Sequence, residues 1–190
     1  MEKLPLNESR ISIIVAVRNI EKSFSVYENL FSIINKSKSD LECIVFDNAS
    51  TDNTKSKIEA DKNFIELVTK TKIKLIASDK KTTLANAYAS ALKHACGLVS
   101  LFIEDPSIIN IGNIISWVSS NKKNINENQL AVGSYGLKSS VNKEQGSAKW
   151  IKKLYNSAVR FFTPIDLCDH TSGIIVAKTN SAIDLFETSL

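Results

Sequence analysis

Short runs of apolar, largely β-branched residues alternate along the first half of this chain with segments of helical periodicity. The runs are five to seven residues long and lack the apolar–polar alternation of a half-exposed strand. Such runs are typical of strands covered on both faces, and strands separated by helices predict a parallel sheet. The sequence therefore predicts a three-layer α/β sandwich, with a mainly parallel central sheet and helices on both faces. The strands are predicted at residues 11–17, 41–46, 73–77 and 98–103.

The segments between these runs, and the second half of the chain, carry the helix signals. Ser23 is suited to cap a helix whose apolar residues follow at helical spacing. A second helix is predicted after the polar residues that follow the second strand, and it should end near Asp61. An Ala-rich helix is predicted at residues 84–95, and Gly97 is expected to end it. The later elements are predicted as helix 108–120, strand 130–135, loop 138–147, helix 150–162, strand 173–177 and a helix from residue 181.

Length, charge and composition exclude several classes of protein. The 190 residues suit a single domain, 1–190, and a net charge of +4 from scattered lysines does not favour a nucleic-acid partner. No stretch approaches the roughly 18 apolar residues that cross a bilayer, and residues 1–10 lack the apolar core of a signal peptide, so the predicted location is the cytoplasm. Neither of the glycine-rich phosphate-binding motifs occurs, which disfavours dinucleotide and P-loop enzymes. Cys43, Cys96 and Cys168 stand apart and are predicted to be buried free thiols.

Polar residues follow three of the predicted strands directly. Arg18 and Asn19 follow the first strand, Asp47 follows the second, and Glu104 and Asp105 follow the fourth. Ligands of open α/β sheets bind at the carboxyl ends of the strands. Carboxylates there can accept hydrogen bonds from a base or ribose, or hold Mg²⁺ or Mn²⁺, which prefer oxygen ligands and bridge to phosphates. The pattern therefore predicts a site for a nucleoside diphosphate at this edge of the sheet.

The segments SIIVAVRNIEKS and ECIVFDNASTDNT resemble the opening of family 2 glycosyltransferases with the GT-A fold, and residues 47–54 are the most specific match. Residues 132–135 and 169–173 are similar to stretches of the polyprenol-phosphate (dolichyl-phosphate) sugar synthase branch. The resemblance implies a GT-A-like (Rossmann-like) sandwich. Residues 11–106 would form its nucleotide-binding half and residues 107–190 its acceptor-side half.

The resemblance also implies roles for individual residues of this chain. Ala16, Arg18 and Asn19 would lie along the base and ribose of a nucleoside-diphosphate sugar. Asp47 would accept a hydrogen bond from the base, with Asn48 nearby. The other implied positions are Asn86 near the ribose or first phosphate, Glu104 and Asp105 at a divalent metal (Mg²⁺ or Mn²⁺), and Asp169 on the acceptor side.

The metal motif of the family, Asp-x-Asp, reads Glu104-Asp105-Pro106 in this chain. Pro106 stands in place of the second Asp and supplies no carboxylate. Adjacent residues of a strand point to opposite faces, so Glu104 and Asp105 can replace the pair only if the backbone turns there. Pro106 favours such a turn. After the second strand, Asp52 and Thr54 are expected to cap the following helix rather than to bind a ligand.

These features predict an enzyme that moves a sugar from a nucleoside-diphosphate sugar to an acceptor. An acceptor hydroxyl, as on a glycan, needs a general base, and Asp169 is the candidate. A polyprenyl phosphate is already ionised and needs only alignment. The predicted helix 150–162 is expected to pack on the core, with peripheral contact at the inner face of the membrane as the alternative. The altered metal motif motivates a second hypothesis, a glycosyltransferase-like binding or assembly subunit without turnover.

Overall fold

One sheet organises the part of the chain that the structure describes. The structure is a computed structural model that describes residues 5–70, 72–106, 110–125, 130–132 and 174–188. Its strands are β1 (Asn7–Val17), β2 (Leu41–Asn48), β3 (Ile73–Ser78), β4 (Gly97–Ile103), β5 (Leu130–Val132) and β6 (Ile174–Lys178). Within the described residues the order is β3-β2-β1-β4-β6-β5, and β6 is the strand that runs against the others. The predicted, mainly parallel sheet is confirmed.

Helices cover both faces of this sheet. They are α1 (Phe24–Lys36), α2 (Thr54–Ala60), α3 (Lys62–Thr69), α4 (Leu84–Leu92), α5 (Ile111–Asn121) and α6 (Thr179–Thr188). Helices α1, α2, α3 and α5 bury side chains in a first hydrophobic core, which the odd-numbered residues of β1 and β4 also enter, Ile103 among them. Helices α4 and α6 contribute to a second core on the other face, together with even-numbered residues such as Ile14 and Phe102. The predicted three layers are therefore present.

Three local predictions were wrong or incomplete. The segment after β2 forms two short helices, because Asp61 ends α2 in an extended conformation and its side chain accepts a bond from Phe64 N (2.8 Å) to begin α3. Gly97 does not end α4, which stops at Leu92; it opens β4 instead. A Cβ at Gly97 would lie 2.7 Å from Ser12 N, so only glycine lets β4 approach β1 this closely. The described cysteines are free thiols, and Cys96 is half-buried where burial was expected.

A buried carboxylate joins three elements at the amino end of the sheet. Glu42 of β2 is 3% exposed and accepts hydrogen bonds from Ser12 Oγ, Cys96 N (2.6 Å) and Gly97 N (3.1 Å) through one oxygen. Its other oxygen accepts from Cys96 Sγ (3.0 Å). Glu42 therefore fixes the entry of β4 beside β1 and β2, on the side of the sheet opposite to the candidate site.

Candidate functional site

The strand order brings the predicted acidic residues to the same edge of the sheet. β1 lies between β2 and β4, with Val17 opposite Asp47 and Val15 opposite Ile103. Glu104 follows Ile103 directly. Since neighbouring strands lie about 4.8 Å apart, the ends of β2 and β4 are roughly 10 Å apart across β1. This is also where the chain order of the sheet reverses, β2 lying on one side of β1 and β4 on the other, and ligands of open α/β sheets bind at such switch points.

The loops after β1 and β2 are bonded to each other along their length. Asn19 N donates to Ser50 Oγ (3.0 Å), and Asn19 Oδ1 accepts from Thr51 N (2.8 Å). Asn19 and Ala49 both have left-handed backbone conformations, with φ of 53° and 56°. Asn tolerates that conformation better than most residues, and its side chain is used here to hold the neighbouring loop.

A second set of bonds continues this link towards α2. Ile20 N donates to Thr54 Oγ1 (2.8 Å) and Glu21 N donates to Asp52 Oδ2 (3.1 Å). Asp52 Oδ1 also accepts from Thr54 N (3.0 Å) at the start of α2. The Glu21 carboxylate accepts from the backbone and side chain of Asn53 (3.3 and 3.0 Å). Asp52 therefore bonds the first amide of α2, in agreement with the capping role expected for it. The Thr54 hydroxyl instead bonds Ile20 of the other loop, so it holds the two loops together rather than capping the helix.

The hydrogen bonds of the two loops lower the pKa values of two carboxyl groups, those of Glu21 and Asp52. Hydrogen bonding to Asn53 lowers the pKa of Glu21 below its ordinary value. Hydrogen bonding to Thr54 lowers the pKa of Asp52 in the same way. Both groups are therefore stabilised as carboxylates by the folded loops.

Asp47 is a buried carboxylate with one oxygen in use. It is 4% exposed, and its Oδ1 accepts from both the backbone N (3.1 Å) and the hydroxyl (2.5 Å) of Ser50. Within the described part of the chain, Oδ2 has no hydrogen-bond partner. A buried carboxylate oxygen without a donor is costly, so this atom is suited to accept a bond from a ligand.

Asn48 and Asn86 lie at the same edge, on the side of α4. The Asn48 amide is occupied by Thr82: its Nδ2 donates to Thr82 O (2.9 Å) and its Oδ1 accepts from Thr82 N (2.8 Å). Thr83 then caps α4, accepting from Asn86 N (3.2 Å). Asn48 thereby positions the start of α4, and Asn86 lies half-buried in its first turn.

Ala16 and Arg18 complete the set at the end of β1. Ala16 is half-buried and packs against the second core. Arg18 is exposed, and among the residues that the structure describes its guanidinium has no ion-pair partner.

Glu104 and Asp105 lie directly after β4, which ends at Ile103, and the chain bends at Glu104. The preceding residues Phe102 and Ile103 lie in the second and first cores respectively. Burial, with the charge of Glu104 as a smaller cause, raises the pKa of Tyr88, which α4 contributes to the second core. Burial, with the charge of Asp105 adding to it, raises the pKa of Tyr27 in the first core to about 12.

The bend at Glu104 is a turn of the kind that the sequence analysis required for Glu104 and Asp105 to act as a pair. Mg²⁺ and Mn²⁺ take oxygen ligands that converge on one point. One or two carboxylates together with substrate phosphates commonly hold such an ion, and Pro106 adds no carboxylate to Glu104 and Asp105. The described residues also contain no group of three His, Cys, Asp or Glu side chains that could hold a metal ion.

Some predictions fall on residues outside the described ranges. Asp169, the candidate general base, is among them, as are the helix predicted at 150–162 and the two segments similar to the polyprenol-phosphate branch, apart from Val132. Every helix in the described ranges is too short or too polar to cross a bilayer.

The sequence analysis missed Ser50, which fixes Asp47 and receives the Asn19 amide. Its position three residues after Asp47 is a spacing at which a hydroxyl and an amide commonly bond an aspartate at the start of a turn. That spacing is the signal that could have found it.

The sequence model of glycosyl transferase family 2 matches residues 12–183, and the chain belongs to that family. No curated protein matches the sequence significantly.

Solved structures share the GT-A fold. Glucosyl-3-phosphoglycerate synthase from Mycobacterium tuberculosis in complex with phosphoglyceric acid is 17% identical with a TM-score of 0.61, covering 90% of this chain and 57% of that one. The same enzyme with Mn²⁺, UDP and glucosyl-3-phosphoglycerate is 18% identical with a TM-score of 0.59, at 90% and 57% coverage. S. aureus TarS 1–349 with UDP-GlcNAc is 18% identical with a TM-score of 0.55, at 90% and 45% coverage. The chain spans about half the length of these proteins.

Proposed function

We propose that this chain transfers a sugar from a nucleoside-diphosphate sugar to an acceptor, and that the donor nucleotide binds at the carboxyl edge of β1, β2 and β4. The observation that carries the proposal is Oδ2 of Asp47, a buried acceptor at the switch point of the sheet that has no hydrogen-bond partner among the described residues. An imino or amino N–H of a base is the donor that such an atom would bind. Family membership supports sugar transfer as the reaction.

The remaining predicted roles belong to this proposal. Ala16, Arg18 and Asn19 would lie along the base and ribose, and Asn86 near the ribose or first phosphate. Glu104 and Asp105 would hold a divalent metal (Mg²⁺ or Mn²⁺). Asn48 would act indirectly, because its amide holds Thr82. Residues 11–106 would form the nucleotide half and residues 107–190 the acceptor half. The predicted cytoplasmic location and the membrane contact stay predictions from the sequence.

The acceptor side of the proposal has less support. Asp169 would take the proton from an acceptor hydroxyl, whereas a lipid phosphate would need no base. The phosphoglyceric acid bound to the mycobacterial enzyme shows that an acceptor in a protein of this fold can itself be anionic.

A non-catalytic subunit is the second candidate, and the observation that favours it is the altered metal motif Glu104-Asp105-Pro106, in which Pro106 supplies no carboxylate. Such a subunit would bind a nucleotide sugar without releasing nucleoside diphosphate from it.

Calorimetric titration with UDP, GDP and their sugars tests the proposal, with Asp47→Asn as the informative variant. Asn keeps the oxygen that Ser50 bonds but loses the charged acceptor, so nucleotide affinity should fall about ten-fold or more. Asp79→Asn is the matched control, since Asp79 is an exposed carboxylate one residue beyond β3 at the same edge. Nucleotide binding that both variants leave unchanged would refute the placement of the base. Release of nucleoside diphosphate from the bound donor separates the enzyme from the non-catalytic subunit.

A further inference from the structure

Asn19, directly beyond β1, bonds the loop after β2 through both its backbone and its side chain. Its N–H donates to Ser50 Oγ (3.0 Å), and its Oδ1 accepts from Thr51 N (2.8 Å) and Thr51 Oγ1 (3.4 Å). A carbonyl oxygen has two acceptor positions, so both positions of Oδ1 are occupied by Thr51. The Asn19 side chain is exposed, but its oxygen is committed to the neighbouring loop.

Ser50 lies between Asn19 and the buried carboxylate of Asp47. The Ser50 hydroxyl accepts from Asn19 N and donates to Asp47 Oδ1 (2.5 Å), and Ser50 N donates to the same oxygen (3.1 Å). A hydroxyl that accepts one hydrogen bond is polarised for the next, so the two bonds strengthen each other. A continuous chain of bonds therefore runs from the end of β1 to Asp47. It fixes the carboxylate through Oδ1 and leaves Oδ2 as the atom for the base.

The conformation of these loops depends on the bonds between them. Asn19 has φ of 53°, and Ala49, directly before Ser50, has φ of 56°. Alanine rarely adopts a left-handed conformation, and such a residue persists only where its surroundings fix it. The surroundings here are the bonds of Ser50 to Asp47 and of Thr51 to Asn19. Loss of the Asn19 side chain should therefore loosen Ser50 and, with it, the carboxylate that Ser50 holds.

We propose that Asn19 is a positioning residue for nucleotide binding. Its side chain orders Ser50 and, through Ser50, the Asp47 carboxylate, and it does not itself bond the nucleotide. This inference rests on the proposed function, because it assumes that a base bonds Asp47 Oδ2. Asn19 stays beside the base and ribose by its place in the chain, and its effect on affinity passes through Asp47.

The test is a double-mutant cycle of Asn19→Gly and Ser50→Ala, titrated calorimetrically with UDP or GDP, whichever binds. Glycine keeps the left-handed backbone and its N–H but removes the acceptor of Thr51. Affinity should fall about three- to ten-fold in Asn19→Gly. The same change made in Ser50→Ala should cost less than about two-fold, because effects that share one path do not add. An equal loss in both backgrounds, or no loss in Asn19→Gly, would overturn the inference.

Asn19→Asp separates the two ends of the amide. Aspartate keeps an oxygen for Thr51 and tolerates the left-handed conformation, but it has no N–H to offer a ligand. Uridine or guanosine is the probe for this variant, because neither carries phosphates that the new charge would repel. Nucleoside affinity should stay within about two-fold of the wild type, whereas a loss equal to that of Asn19→Gly would show a direct contact and overturn the inference.

Asn124→Gly is the matched control, because it makes the same substitution at an exposed asparagine in the turn after α5. It should change nucleotide affinity less than about two-fold. Far-UV circular dichroism verifies that each variant is folded. Additive losses in the cycle would overturn this inference and leave the proposed function intact, whereas a wild-type chain that binds no nucleotide would overturn both.

Discussion

Replacing the buried Glu42 should destabilise the fold, and the loss of stability should depend on how many of its hydrogen-bond donors still have an acceptor. The informative pair is Glu42→Leu and Glu42→Gln. Leu supplies no acceptor, so the Cys96 N–H and the Ser12 hydroxyl both lose their bonds, while Gly97 N retains Ser12 Oγ at 2.9 Å. Gln keeps one amide oxygen within reach of the same donors.

The expected losses follow from the number of donors left unpaired. A buried donor without an acceptor costs about 1–3 kcal/mol, so the Ser12 hydroxyl and the Cys96 N–H predict a loss of about 2–6 kcal/mol. The Cys96 thiol also loses its acceptor, but it is a weak donor and adds little. Glu42→Gln exchanges a charged acceptor for a neutral one and should cost about 1–2 kcal/mol. Domains of this kind are stable by about 5–15 kcal/mol, so the first change is large and the second is tolerable.

Urea unfolding measures both variants, with the m-value as the check that the folded state is otherwise unchanged. Glu59→Leu and Glu59→Gln are the matched controls, since Glu59 is exposed on α2 and should give changes within about 0.5 kcal/mol. A loss below about 1 kcal/mol in Glu42→Leu would refute the reasoning, because it would mean that the donors around Glu42 need no acceptor.

The bonds between the two loops predict a pH effect and a binding effect. Folding lowers the pKa of Glu21 and Asp52, so these carboxylates stabilise the folded chain at neutral pH, and that stabilisation is lost as the pH falls below about 4. The urea midpoint of unfolding, measured from pH 7 to pH 3, should therefore drop more steeply in the wild type than in the double variant Glu21→Gln/Asp52→Asn. Equal slopes would contradict this. Ser50→Ala removes the hydroxyl that fixes Asp47 and should weaken nucleotide binding about three- to ten-fold, with recovery in Ser50→Thr; a Thr variant as weak as Ala would show that the hydroxyl does not position Asp47.

The sequence predicted the layers and the edge that carries the site because both depend on local patterns. Apolar spacing in residues 24–34 matched the buried face of α1, and the polar residues after β1, β2 and β4 meet because parallel strands end at the same edge. The division of the segment after β2 into two helices was missed because the single Asp61 both ends one helix and caps the next.

The contacts that determine each side chain's task could not be predicted in this way, because they join residues distant in sequence. The Asn48 amide is hydrogen-bonded to Thr82, 34 positions away. A glycine is required at position 97 because the chain passes close to Ser12 on another strand. The sequence could only raise the question of a turn after the fourth strand, and the structure answers it with a bend at Glu104, directly after β4.

A crystal structure of the chain with UDP or GDP, whichever binds in titration, tests the central claim most directly. We predict a base N–H within hydrogen-bond distance of Asp47 Oδ2, with the diphosphate over the ends of β1 and β4. A nucleotide bound at another edge of the sheet, or no binding at millimolar concentration, would contradict the account.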